Sequence, residues 1–338
     1  MSKEKKQRLY HDAKLIVKSF KHFAAALEDD IFDDFCQTFN ASNYGLFVYR
    51  PGNEQLPLLV AHVDTVFSEP VNVEDILYDP KAMVIFRRPV SRRRFYIYSR
   101  AHEEGLGADD RLGVALISIL ASEFPDVGIL LTDLEESGGY GAIDAARVLG
   151  DELARYPYFL QLDRCGAKHF AHYDTLTPQF KTFLSKHLPH WHLERGSFTD
   201  IAHLCPVIGR CGVNIAIGYY NQHTELEYIE VRHAVMALRA VRILLQVPCS
   251  SPFPLKRVIS QHNWDADWYY DWVEALEEEQ QDEEAQTDEQ GQLQVPQSLL
   301  PPSTSTSKPF WQQWFRKSHS SVSQTHDPDE NNTPSNEK

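Results

Sequence analysis

Two adjacent carboxylates, Glu135 and Glu136, follow an apolar run from Val127 to Leu131 and precede Ser137-Gly138-Gly139. The run reads as a buried strand, so the pair stands at a strand end before a helical stretch from Ala142. Like charges side by side in a protected place raise each other's pKa. A cation beside them removes that penalty and divides the work: one carboxylate is a ligand, the other moves protons. Taken alone, the stretch fits a solvated turn with two surface glutamates equally well.

Other chemistry-bearing residues recur at element ends. In Leu59-Val60-Ala61-His62-Val63-Asp64-Thr65 the histidine and aspartate fall on one side of an extended chain, because strand side chains alternate with period two. Gly107-Ala108-Asp109-Asp110 sets two aspartates directly before a helical stretch, Asp163 closes the apolar run Tyr158 to Leu162, and His223 follows the run Val213 to Gly218. Each piece has a plainer use: a lone interior histidine, a helix N-cap at Asp109-Asp110, a turn cap at Asp163. Together, histidines and carboxylates at successive strand ends suit a pair of divalent cations sharing a bridging carboxylate. Zinc accepts all of these ligand types.

The elements that must position them alternate. Residues 8–36 read as helix, with Leu15, Ile16, Phe20, Phe23 and Leu27 at helical spacing. Strands are expected at 44–49, 58–63, 127–131, 158–162 and 213–218, and 82–86 with 95–98 is expected as a hairpin around an arginine-rich turn. Helices are expected at 111–123, 142–154, 177–187, 199–204 and 230–246. This pattern predicts an α/β fold: a three-layer sandwich whose mostly parallel central sheet is flanked by helices, with ligands at the carboxyl ends of the strands. The domain is expected over 1–249. Residues 250–338, with an acidic, glutamine-rich run at 274–290 and a Pro/Ser/Thr/Asn-rich end, are expected to be a mostly disordered tail. Its aromatic groups, Trp264 to Trp272 and Phe310 to Phe315, offer a short packed helix and a docking segment for a protein partner.

The order His-x-Asp, Gly-x-Asp-Asp, Glu-Glu, Asp, His resembles the co-catalytic zinc exopeptidase clan, which includes peptidase T, aminoacylase-type enzymes and single-domain zinc aminopeptidases. The resemblance covers about residues 45–246 and is carried by His62-Val63-Asp64-Thr65, Gly107-Ala108-Asp109-Asp110 and Glu135-Glu136. Gly196-Ser197-Phe198-Thr199-Asp200 resembles a Gly-Gly-Thr-Asp segment with one residue inserted, and Gly218 to His223 resembles the closing histidine segment. The resemblance implies two zinc ions, or other divalent metals such as cobalt or manganese. His62 and Asp163 would hold one, Glu136 and His223 the other, and Asp109 would bridge. Asp64 would orient His62 and Glu135 would be the general base. It further implies a cis peptide after Asp109. The departure lies between Asp163 and Gly196, where about thirty residues leave room for one helix and no inserted lid or dimerisation domain.

Composition narrows the partners. The chain has 338 residues, 42% hydrophobic and 12% aromatic, enough for an enzyme-sized core. A net charge of -15 argues against nucleic acid, and no apolar run has the length of a membrane span. The odd, dispersed set Cys36, Cys165, Cys205, Cys211 and Cys249, with no signal-peptide pattern, points to the cytoplasm. The expected activity is hydrolysis of an amide by an exopeptidase acting on short peptides. A deacylase using N-acyl amino acids and a non-catalytic adaptor are the alternatives. Arg87 to Arg94 reads as a solvated turn, His169, His172, His187, His190 and His192 as surface histidines, and Asp200 as a helix cap beside His203.

Overall fold

A computed structural model describes residues 3–67, 70–79, 95–99 and 105–256. The expected strand 82–86, the arginine-rich turn and the residues from 257 onward lie outside the described residues.

The apolar runs of the sequence become the strands β3 (Leu58–His62), β6 (Gly128–Thr132), β7 (Phe159–Arg164) and β10 (Gly212–Ile217). They are almost wholly buried because helices cover both of their faces, which is why they read as continuous apolar runs rather than alternating ones. With β1 (Ser42–Asn43), β2 (Phe47–Arg50), β8 (Ala167–His172) and β9 (His192–Arg195) they form an eight-stranded sheet, ordered β1-β2-β6-β3-β7-β10-β8-β9. The four central strands are mutually parallel, while β2 and β8 run antiparallel to their inner neighbours. Leu58 pairs with both Gly128 and Phe159, so β3, β6 and β7 advance in step and end together.

Strand alternation divides β3 between two cores. Leu59 and Ala61 pack with α1 (Lys3–Ala24), α2 (Glu28–Phe39), α3 (Ala108–Glu123) and α7 (Val231–Leu245), whereas Leu58 and Val60 pack with α4 (Tyr140–Leu153) and α6 (Asp200–Ile208). The three-layer α/β expectation is met.

Three differences from the sequence reading stand out. The helix expected over 8–36 is two helices, broken at 25–27, where the Arg111 guanidinium donates to the carbonyls of Phe23 and Ala26 and to Glu28. Three acidic residues, Glu28, Asp29 and Asp30, open α2 and suit a helix N-terminus, the signal that marks the break. The segment expected to hold one helix between Asp163 and Gly196 contains α5 (Pro178–His187) and also β8 and β9, which extend the main sheet. Their polar, half-exposed faces hid them. The strand expected at 95–98 is β5 (Tyr96–Ser99), which pairs with β4 (Ile76–Asp79) and β12 (Tyr228–Glu230). Together with β11 (Tyr219–Tyr220) these form a small antiparallel sheet.

Beyond the boundary expected at 249, chain packing continues. The carbonyl of Phe253 accepts from Cys211 N–H, its own N–H donates to Pro157, and its ring meets Tyr158, Phe180 and Phe183. Among the described residues, no helix is long and apolar enough to cross a membrane.

Candidate metal centre

His62 ends β3 with its ring almost completely buried. Its Nδ1 lies 3.1 Å from the Asp64 carbonyl and 3.2 Å from Asp64 Oδ1. Both are acceptors, so Nδ1 carries the proton and Nε2 is left with its lone pair in the neutral ring. The same Asp64 carboxylate accepts from the N–H groups of Glu135 at 3.1 Å and Glu136 at 3.0 Å. One side chain thus orients an imidazole and ties the end of β3 to the turn after β6. Burial opposes its charge, but the bonds from His62 and from those backbone N–H groups hold the carboxyl below its usual range.

From that frame, His62 Nε2 faces Asp109 Oδ1 at 3.4 Å, Asp163 Oδ1 at 3.5 Å and Glu135 Oε2 at 4.0 Å. His223 Nε2 faces Asp109 Oδ2 at 3.3 Å and Glu136 Oε1 at 2.7 Å. Two ligand atoms about 2.0–2.1 Å from a tetrahedral zinc are about 3.3–3.4 Å apart, so three of these separations are the edges such a cation requires. The 2.7 Å pair is a hydrogen bond. Asp109 turns one oxygen to each imidazole, the disposition of a bridging carboxylate.

Neighbouring elements lock these side chains. The Asp109–Asp110 peptide is cis, as the resemblance implied. Asp110 is buried, and its carboxylate accepts from Gly113 N–H at 3.0 Å and His62 N–H at 3.3 Å. At Asp163, Oδ2 accepts from Gln161 at 3.0 Å, Thr199 at 2.7 Å and Asn214 at 2.9 Å. With Oδ2 so saturated, Oδ1 is the oxygen left for a cation. His223 sits at φ 62° in the loop after β11, and its side chain is 29% exposed against 1% for His62, so solvent reaches the centre from the His223 side.

No family model matches the sequence, and a comparison with curated proteins finds no match. Among solved structures, aminopeptidase PepT from Bacillus cereus superposes with a TM-score of 0.51 at 14% identity, over 69% of this chain and 98% of that one. In fold, this chain is similar to that aminopeptidase. A tripeptidase from Staphylococcus aureus gives 0.49 at 14% identity (70% and 98% covered), and aminopeptidase APDkam598 from Desulfurococcus kamchatkensis gives 0.48 at 14% (69% and 95%). The PepT-like fold agrees with the resemblance drawn from the motifs.

Within this PepT-like fold, the electrostatics of the centre call for positive charge. The carboxylates Asp64, Asp109, Glu135, Glu136 and Asp163 converge on two imidazoles in a buried space. Burial alone would lower His223, yet Asp109 and Glu136 raise it to about 11, and His62 is likewise raised by Asp109, Asp163 and Asp64. Burial pushes the Glu135 carboxyl well up, with Asp163, Asp200 and Glu136 adding to the effect and His62 opposing it. Divalent cations would supply this charge, and the donors fall into groups whose atoms lie within 4.8 Å of one another: His62-Asp109-Asp163, Asp109-Glu136-His223 and His62-Glu135-Glu136. The residues present fit two such ions.

Several supporting residues escaped the sequence reading. Gln161 and Asn214 lie inside apolar strands, where a polar residue in a buried run is the available signal. Asp200 is corrected. Thr199 stands at the N-cap position of α6, and the Asp200 carboxylate instead accepts from Thr132 at 2.7 Å and at 3.3 Å from Gln161, whose amide also donates to Asp163. His169 pairs with Glu194, and the His187 ring lies tilted against Phe183; neither reaches the centre.

Proposed function

We propose that this chain is a zinc-dependent hydrolase that cleaves amide bonds, an exopeptidase acting on short peptides. His62 and Asp163 would hold one ion, Glu136 and His223 the other, and Asp109 would bridge them. When bound, such a pair lowers the pKa of water towards neutrality and polarises the scissile carbonyl. The observation that carries this reading is Asp109, whose two carboxylate oxygens face the two histidine rings at 3.4 and 3.3 Å.

The chain's own residues supply the rest. Asp64 holds the His62 tautomer. Glu135, buried beside the cluster yet outside the two ligand sets, takes the proton of the attacking water and delivers it to the leaving nitrogen. Its carboxylate oxygen Oε2 lies 4.0 Å from His62 Nε2, close enough to the centre to reach a water held there. A cytoplasmic location is part of the same proposal and rests on the dispersed, odd set of cysteines.

Metal content of the purified protein, measured beside hydrolysis of unblocked di- and tripeptides and of N-acetyl amino acids, tests the proposal. About two zinc ions per chain with release of amino acids from unblocked peptides is expected. Acetate release without peptide cleavage would replace exopeptidase by deacylase. A metal-free protein inactive on both sets after zinc addition would leave only a binding role.

A further inference from the structure

Glu227 does for the backbone of Asp109 what Asp64 does for the His62 ring. It is 2% exposed, and Oε2 accepts from Ala108 N–H at 3.0 Å while Oε1 accepts from Asp109 N–H at 3.1 Å. Those N–H groups open α3, where a helix leaves its first donors without internal partners. Asp109 and Asp110 moreover depart from helical φ/ψ, so regular turns start only at Arg111. The carboxylate that satisfies them arrives from the loop that carries His223. That loop is closed on itself: Thr224 Oγ1 donates to the Asn221 carbonyl at 2.7 Å, and Glu227 N–H donates to the Thr224 carbonyl at 3.1 Å. The segment that presents one imidazole therefore also clamps the peptide that presents the shared carboxylate, whose other oxygen faces His62.

We propose that Glu227 is a positioning residue that fixes Asp109 from the His223 loop and so sets the cation affinity of the His62 half of the centre. The inference rests on the two-metal reading above. A residue that only kept loop 221–227 in shape would act on the His223 half alone.

The test is equilibrium zinc binding by the full-length protein against a chromogenic chelator. His223→Ala removes one half and should leave a single zinc, held by His62, Asp163 and Asp109. Adding Glu227→Ala should weaken that remaining zinc about 10–100-fold, the usual scale for losing a residue that orients a ligand. Glu227→Gln on the same background keeps one acceptor oxygen and turns an amide N–H against the second donor, so it should weaken the same zinc by a smaller factor. It also covers failure of the alanine variant to fold, judged by thermal melting of metal-free protein. Equal affinity for the remaining zinc with Glu and Gln at 227, in folded protein, overturns the proposal. A parent protein that binds no zinc refutes the two-metal reading, and this inference with it, before any change at Glu227.

Discussion

Glu135 and Glu136 are neighbours in sequence with different surroundings in space. Glu136 Oε1 touches His223 Nε2 at 2.7 Å, whereas Glu135 Oε2 stands 4.0 Å from His62 Nε2. Glu135→Gln should keep both metals yet lose turnover about 100- to 10,000-fold, the scale of positioned proton transfer. Glu136→Gln should lose one metal and recover part of its rate in excess zinc. Metal stoichiometry and rate on both variants read the difference, and similar small effects would move the centre elsewhere. Asp200 offers a separate residue-level check. Burial, with Asp163 and Asp64 adding to it, pushes its carboxyl up to about 7. A raised pKa means that the folded state binds the proton more tightly, so this group's contribution falls as pH rises from about 4 through about 7. Metal-free Asp200→Asn should therefore lose less Tm than the parent between pH 5 and pH 8. An equal or larger loss in the variant would contradict the assignment.

At the scale of elements, α3 lies tightly against β7. A Cβ at Gly113 would lie 1.9 Å from the Leu162 carbonyl oxygen and about 2.4–2.5 Å from both Asp110 carboxylate oxygens. The helix can approach β7 this closely only without a side chain there. Gly113→Ala should destabilise the protein by about 1–3 kcal/mol or more, read by urea unfolding, and should weaken metal binding by shifting Asp110 from His62 N–H. Wild-type stability in this variant would show that helix and strand can part without loss. The helix periodicity of 15–27 predicted one long helix, since periodicity is blind to a break held by a distant guanidinium. Arg111 supplies that break from α3.

Across the whole molecule, the end of the described chain is part of the fold. Cutting after residue 249 removes the backbone bonds of Phe253 and Leu255 and the Phe253 ring from the Tyr158, Phe180 and Phe183 cluster. Cutting after Lys256 keeps them. The shorter protein should be less stable than the longer by about 1–3 kcal/mol, from one partly buried aromatic and three hydrogen bonds, measured by denaturant unfolding. Equal stability would make the strap dispensable.

Sequence alone determined the layers and singled out the residues proposed for the centre, because both are written locally. Continuous apolar runs mark strands covered on both faces, and His62, Asp109, Glu135, Glu136, Asp163 and His223 stand where such runs end or helices begin. Tertiary structure decided the rest, because pairing and proximity depend on residues far apart in the chain. It assigned β8 and β9 to the sheet edge despite their polar surfaces, turned Asp200 away from capping towards Thr132 and Gln161, and saturated one oxygen of Asp163. Glu227 is the clearest case. Nothing around it marks a role, and only the fold brings its carboxylate to the N–H groups of Ala108 and Asp109, well over a hundred residues earlier in the chain.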